Sequence, residues 1–303
     1  MECVVQTSAL SKRYRRTLAL DGVDIEIQRG QVYGLVGLNG AGKTTLMRAL
    51  AGLIAPTSGS VELFGESTPA GLAASRRRIG QMIESPRVYP GMTAAQNLEI
   101  QRRLGGVPDA RSVGRVLELV GLGDVGKKSV RDFSFGMKQR LGIALALITD
   151  PELLILDEPA NGLDPLGIMD IRVLVRTLAR DRGVTVLISS HILGELAQVA
   201  THFGVLHRGR LVKQLSAQEL RTTSHRYLRL VARPQDRAVT LIQEAWGVRD
   251  FRVVSPTEID VYQRIDEPAQ LNALLVGHGV EVDLIERCEQ PLDDYILNLI
   301  GGR

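Results

Sequence analysis

The stretch Gly37-Leu38-Asn39-Gly40-Ala41-Gly42-Lys43-Thr44-Thr45 decides how this chain folds. An apolar run, Val32-Tyr33-Gly34-Leu35-Val36, precedes it, and Leu46-Met47-Arg48-Ala49-Leu50 follows. That order predicts strand, glycine loop and helix, the setting a phosphate-binding P-loop requires. The glycines let successive backbone N–H groups turn inward around an anion. The helix starting near Lys43 adds the positive end of its dipole. Lys43 is spaced to reach the β- and γ-phosphates of a nucleoside triphosphate, and the Thr44 hydroxyl to ligate Mg2+. The loop alone does not separate kinase, GTPase and transport motor, so the rest of the chain must.

Working outward, Leu153-Leu154-Ile155-Leu156-Asp157-Glu158-Pro159 is the second decisive run. An apolar strand delivers two carboxylates at its C-terminal end, where α/β sheets bind ligands. Asp157 is placed to hold Mg2+ through water, and Glu158 to act as general base toward an attacking water.

Bulk composition narrows the class. The chain has 303 residues, 44% hydrophobic and 23% charged, enough for about two globular domains. Lys+Arg number 37 against 34 Asp+Glu, a net charge of +3, which argues against a nucleic-acid partner. Arg76-Arg77-Arg78 is short, lacks interleaved aromatics and reads as a solvated face. Cys3 and Cys288 form no metal or redox spacing and fit a reducing cytoplasm. No apolar signal region opens the chain, and no apolar run approaches the ~20 residues of a membrane helix. A membrane role therefore requires a span supplied by another chain.

Short β-rich runs (3–7, 24–27, 31–36, 60–64 and 78–83) and helices (from Thr93 to about Leu104, 110–120, 136–148 and 165–180) alternate through the first two-thirds. Thr93-Ala94-Ala95-Gln96 is a capping box. Strand 184–189 leads to His191 and a short helix. The pattern predicts an α/β domain over residues 1–222 with a mostly parallel sheet and an inserted, largely helical lobe at about 86–134. Ser216-Ala217-Gln218-Glu219, a second capping box, opens a closing helix. Residues 223–303 then read β-α-β-β-α-β, a small α+β domain of the split-βαβ kind, with a last helix at 292–299. This second domain carries no catalytic constellation.

With the phosphate loop and the Asp157-Glu158 strand in place, residues 5–215 resemble the ATP-binding subunits of ABC transporters: a P-loop NTPase fold with an inserted helical lobe. Phe133-Ser134-Phe135-Gly136-Met137 stands where that family carries Leu-Ser-Gly-Gly-Gln; Ser134 and Gly136 match, Phe135 and Met137 do not. The resemblance implies that this run faces ATP held by a second copy of the chain. It makes His191 the switch histidine at the γ-phosphate, Tyr14 the aromatic that stacks on adenine, and Asn161-Gly162-Leu163-Asp164 the loop coupling the two sites of a dimer. Asn161 and Gly162 replace the commoner Ser-Ala. Glu84 occupies the position of the family's Gln, a ligand of Mg2+ or of the attacking water, while Gln81 falls within a strand. Glu at that place resembles the bacitracin and lantibiotic exporter subgroup. It adds charge to Asp157 and Glu158, and crowded carboxylates repel, which predicts strong dependence on Mg2+.

The resemblance thus implies an ATPase powering a separate integral-membrane permease, held at the cytoplasmic face of the membrane, for export of a drug or peptide antibiotic. The second domain resembles an appendage of the same subgroup with a structural or dimer-forming role. A GTPase would carry Asn-Lys-x-Asp, and a chromosome-structuring relative long heptads; neither is present. The competing reading is an ATPase of the same family with a regulatory role and no transport.

Overall fold

The computed structural model describes residues 2–223 and 226–289. The helix expected at 292–299 lies outside them. The chain divides into two compact units, Met1–Ala217 and Gln218–Arg303.

The first unit holds two sheets. Six strands form the larger: β4 (Val32–Val36), β6 (Ile79–Met82), β7 (Leu153–Leu156), β8 (Thr185–Ser190), β9 (His202–His207) and β10 (Arg210–Ser216). Their order is β10-β9-β4-β8-β7-β6, and all pairs are parallel except β9 with β10. β4, β7 and β8 are buried along their whole length, as expected of central parallel strands covered on both faces. That explains why their sequences are continuous apolar runs rather than alternations. The second sheet is antiparallel: β1 (Cys3–Tyr14) pairs with β2 (Thr17–Val23), β3 (Glu26–Gln28) and β5 (Ser58–Leu63). A largely parallel sheet is therefore only part of this unit.

Helices α1 (Lys43–Leu50), α2 (Pro69–Arg76), α3 (Ala94–Leu104), α4 (Ser112–Leu119), α5 (Phe135–Leu147), α6 (Pro165–Arg182) and α7 (Leu193–Leu196) complete this unit, and α8 (Ala217–Thr223) starts at its last residue. The Thr93–Gln96 capping box forms in both directions, which fixes where α3 begins. Asp164 caps α6 through Gly167 N–H, with Pro165 opening the helix and Gly183 in the left-handed region closing it. Segment 86–134 is less helical than its sequence suggests: α3 and α4 are joined to α5 by turns and two single-turn 3-10 helices. Among the described residues no helix is long and apolar enough to cross a membrane.

Glu152, at the start of β7, receives the guanidinium groups of Arg78 and Arg29. The Arg78 hydrogen bond, aided by Arg29, pulls its carboxyl down to about 2. This network anchors the amino-terminal end of the strand, opposite the end that carries Asp157.

The second unit contains β11 (Arg226–Arg233), α9 (Gln235–Thr240), β12 (Phe251–Val253), β13 (Glu258–Val261), α10 (Pro268–Gly277) and β14 (Glu281–Glu289). Its antiparallel sheet has the order β12-β13-β11-β14, a split-βαβ arrangement. Leu228, Leu230, Ile242, Trp246, Ile259 and Leu271 belong to its core. α9 runs on into one wide turn, Leu241–Ala245, of π type.

Candidate nucleotide site

Four neighbouring parallel strands end on one edge of the large sheet, and each delivers a segment of the site there. β4 leads into the glycine loop, β7 into Asp157-Glu158, β8 into His191 and β6 toward Glu84. This is the edge where open α/β sheets bind ligands.

The glycines of the loop are required by shape. Gly42 caps α1 at φ +111°, and a Cβ there would lie 2.6 Å from the Ala19 carbonyl oxygen. A Cβ on Gly37 would lie 2.3 Å from that of Leu206. Gly40 also has a positive φ, +79°. No side chain caps α1 and its first turn holds no acidic residue, so its leading N–H groups suit an anion. Leu38, Asn39 and Gly40 are exposed, Ala41 is buried, and Thr45 is partly buried.

Lys43 is buried, 6% exposed, a state this residue type reaches only with partners. Its Nζ donates to Gly37 O at 2.6 Å and lies 3.1 Å from Glu158 Oε1. The other carboxylate oxygen of Glu158 meets His191 Nδ1 at 2.7 Å. Glu158 thus bridges a lysine from the phosphate loop and a histidine from β8. Its backbone is left-handed, φ +49°, which costs a non-glycine residue about 1 kcal/mol. Strain of this kind concentrates at working sites.

Asp157 is 4% exposed. Its Oδ2 accepts from Thr44 Oγ1 and its Oδ1 from Ser189 Oγ, both at 2.7 Å. Ser189 Oγ in turn accepts the Glu158 N–H at 2.8 Å. Among the described residues no cation pairs with Asp157, so a buried carboxylate is held by neutral hydroxyls alone. Hard oxygen donors with uncompensated negative charge suit Mg2+, which takes one or two carboxylates and keeps water and phosphate oxygens for the rest. The donor set fits that ion. Thr44 and Asp157 would hold it, and when bound it would neutralise charge on the phosphate oxygens.

Glu84 adopts φ +66° and pairs with Arg48 of α1. No hydrogen bond joins it to Thr44 or Asp157, and Arg48 gives its charge a cationic partner. Gln81 lies within β6. Tyr14 is exposed at the β1–β2 turn, with Lys12 Nζ 5.2 Å from its ring centre; β2 of the same hairpin supplies the Ala19 and Leu20 contacts to Gly42.

The Ser134 run stands apart from the phosphate loop. Ser134 caps α5 by accepting the Met137 N–H at 3.2 Å, and Phe135 is exposed. Among the described residues no hydrogen bond or ion pair joins 134–137 to 37–45. Instead Ser134, Phe135 and Gly136 line one cavity with Gly162, Leu163 and Asp164. The sequence reading missed Ser189 and Arg48. A polar pair, Ser189-Ser190, at the end of an apolar strand just before His191 was the available signal for the first; nothing local marked the second.

Comparison with known proteins supplies the family. The profile of the ABC transporter family matches residues 20–161. The bacitracin transport ATP-binding protein BcrA of Bacillus licheniformis is 42% identical over 302 residues, spanning 100% of this chain and 99% of that one. The lantibiotic transport ATP-binding protein SrtF of Streptococcus pyogenes is 42% identical over 203 residues, 67% of this chain and 86% of that one. A solved ATP-binding subunit of an ABC transporter superposes with a TM-score of 0.65 at 30% identity, covering 72% of this chain and 92% of its own. A full-length relationship at this identity, over a glycine loop and an Asp-Glu strand end joined as described, makes the chain a member of the ATP-binding, ATP-hydrolysing subunits of ABC transporters.

Proposed function

We propose that this chain is the motor of an exporter for a peptide antibiotic or drug, working with a separate integral-membrane permease at the cytoplasmic face of the membrane. The observation that carries the hydrolytic part is the bonded chain Thr44–Asp157–Ser189–Glu158, with Lys43 and His191 on the two oxygens of Glu158. Lys43 exchanges its contact with Glu158 for phosphate oxygens. Glu158, still steadied by His191, is then free to accept the proton of the attacking water. Tyr14 stacks on adenine. Thr44 and Asp157 hold Mg2+. Two copies close on two nucleotides, each copy offering the Ser134 hydroxyl and the start of α5 to the nucleotide of the other.

The export reading draws on the transport roles in the names of BcrA and SrtF. The segment Ser85 to Gly91 is the proposed contact with the permease, and Ser85, Pro86 and Arg87 line a groove of about 880 Å³ there. The second unit serves assembly. The test is isolation from membranes: the protein is expected to copurify with a multi-span partner. A pool that is wholly soluble at native expression supports the regulatory ATPase instead.

A further inference from the structure

Two residues at which this chain departs from the motifs it resembles, Phe135 and Gly162, lie side by side in one cavity. Gly162 sits at φ +78°, and a Cβ built there would meet Phe135 Cε1 at 3.3 Å and Cζ at 3.7 Å. The ring therefore occupies space that an alanine methyl would contest. The same helix end grips this loop a second time. One turn along α5 from Phe135, the buried Gln139 donates from Nε2 to the Pro159 carbonyl oxygen at 3.3 Å. The loop itself is a closed succession of turns that begins at Glu158: Asn161 N–H donates to Glu158 O and Leu163 N–H to Ala160 O, each at 3.2 Å. Residues 159–162 are thus clamped between the first turn of α5 and the backbone of Glu158.

We propose that Phe135 is a positioning residue for hydrolysis, its ring locking the start of α5 to the loop that leaves Glu158. A shift of α5 as Ser134 engages the second nucleotide is then passed to Glu158 of the same subunit. A side chain at 162 would press on the ring, so Phe135 and Gly162 act as one device rather than two unrelated changes. Phe135 is 54% exposed, so it is poorly explained as core filling, and its truncation leaves the fold intact.

The inference rests on Glu158 being the base, so Glu158→Gln is measured alongside. Phe135→Ala and Gly162→Ala are each expected to lower kcat about tenfold with KM for ATP within about twofold. Both act on one contact, with Gly162→Ala adding the strain of a side chain at φ +78°, so the double variant is expected to stay within about threefold of Gly162→Ala alone rather than fall about a hundredfold. Phe135→Leu, which keeps apolar bulk, is expected to retain about half of the turnover. Unchanged kcat in Phe135→Ala, or losses that multiply in the double variant, overturns the inference while leaving the site intact. Wild-type hydrolysis by Glu158→Gln instead removes the reading of the site beneath it.

Discussion

Ser189→Ala tests how the site is held together, because a single buried hydroxyl serves both carboxylate residues. Ser189 is 1% exposed, so water does not replace what is lost. Its bond to Asp157 Oδ1 is 2.7 Å long and charge-assisted, in the class contributing about 1.5–3 kcal/mol. The same change leaves the Glu158 N–H without an acceptor, a further cost of about 1–3 kcal/mol for a buried donor. Removing the serine's own desolvation offsets part of this, and a net loss of about 3 kcal/mol is expected, or about 6–12 °C in melting temperature for a unit of this size. Catalysis should suffer separately. Glu158 holds a strained backbone partly through this bond, and a displacement of ~1 Å at a reacting group lowers kcat by about a hundredfold. Ser189 makes no hydrogen bond to residues 37–45, so nucleotide affinity should change by no more than about twofold. Urea unfolding and steady-state phosphate release measure the two effects. A variant less than about 1 kcal/mol weaker with unaltered kcat would refute the claim that this hydroxyl ties the pair together.

Glu84→Gln should raise the free Mg2+ needed for half-maximal hydrolysis, by no more than about fivefold, because Glu84 is half-exposed and Arg48 already offsets its charge; superimposable magnesium curves would remove that role. Glu152, drawn down to about 2 in the folded state, contributes stability that is complete above its unfolded value of 4.5 and is lost as pH falls from there toward 2. Urea midpoints of wild type and Glu152→Gln should therefore converge between about pH 6 and about pH 3, and a gap that stays constant would contradict the linkage.

What the sequence disclosed follows from where each constraint is local. Leu153–Leu156 reads as a strand without ambiguity because both of its faces are buried. The start of α3 is written in two residues three apart, Thr93 and Gln96. The phosphate loop is legible from the spacing of its own nine residues, although the carbonyls that hold Gly37 and Gly42 to glycine come from Leu206 and Ala19. The antiparallel sheet was legible only in part: the runs at 3–7, 24–27 and 60–64 overlap its strands, while β2 and the second half of β1 went unread. β1 bends at Ala9, where φ is +48°, and its register against β5 slips between Ser8 and Ser11, so no simple alternation runs along it. β2 carries Gly22 in the left-handed region and pairs through two register shifts. β10 is mostly exposed on the edge of the large sheet and has little apolar signal. The wide turn after α9 leaves no mark on helical periodicity. Within the site, the residues proposed to meet a phosphate or a proton were legible by type and spacing. The partners that hold them were not. Arg48 finds Glu84 across 36 residues, and Gly162 meets Phe135 only when α5 and the 158–164 loop pack.

In the proposed reaction, triphosphate bound at the 37–45 loop is hydrolysed with Glu158 as base. Single-turnover hydrolysis of Mg-ATP by Glu158→Gln, with affinity measured by calorimetry on the same protein, tests it most directly. Binding should stay within about threefold of wild type while the hydrolysis rate falls by at least about a hundredfold. Hydrolysis at the wild-type rate by a variant that binds normally would contradict the account.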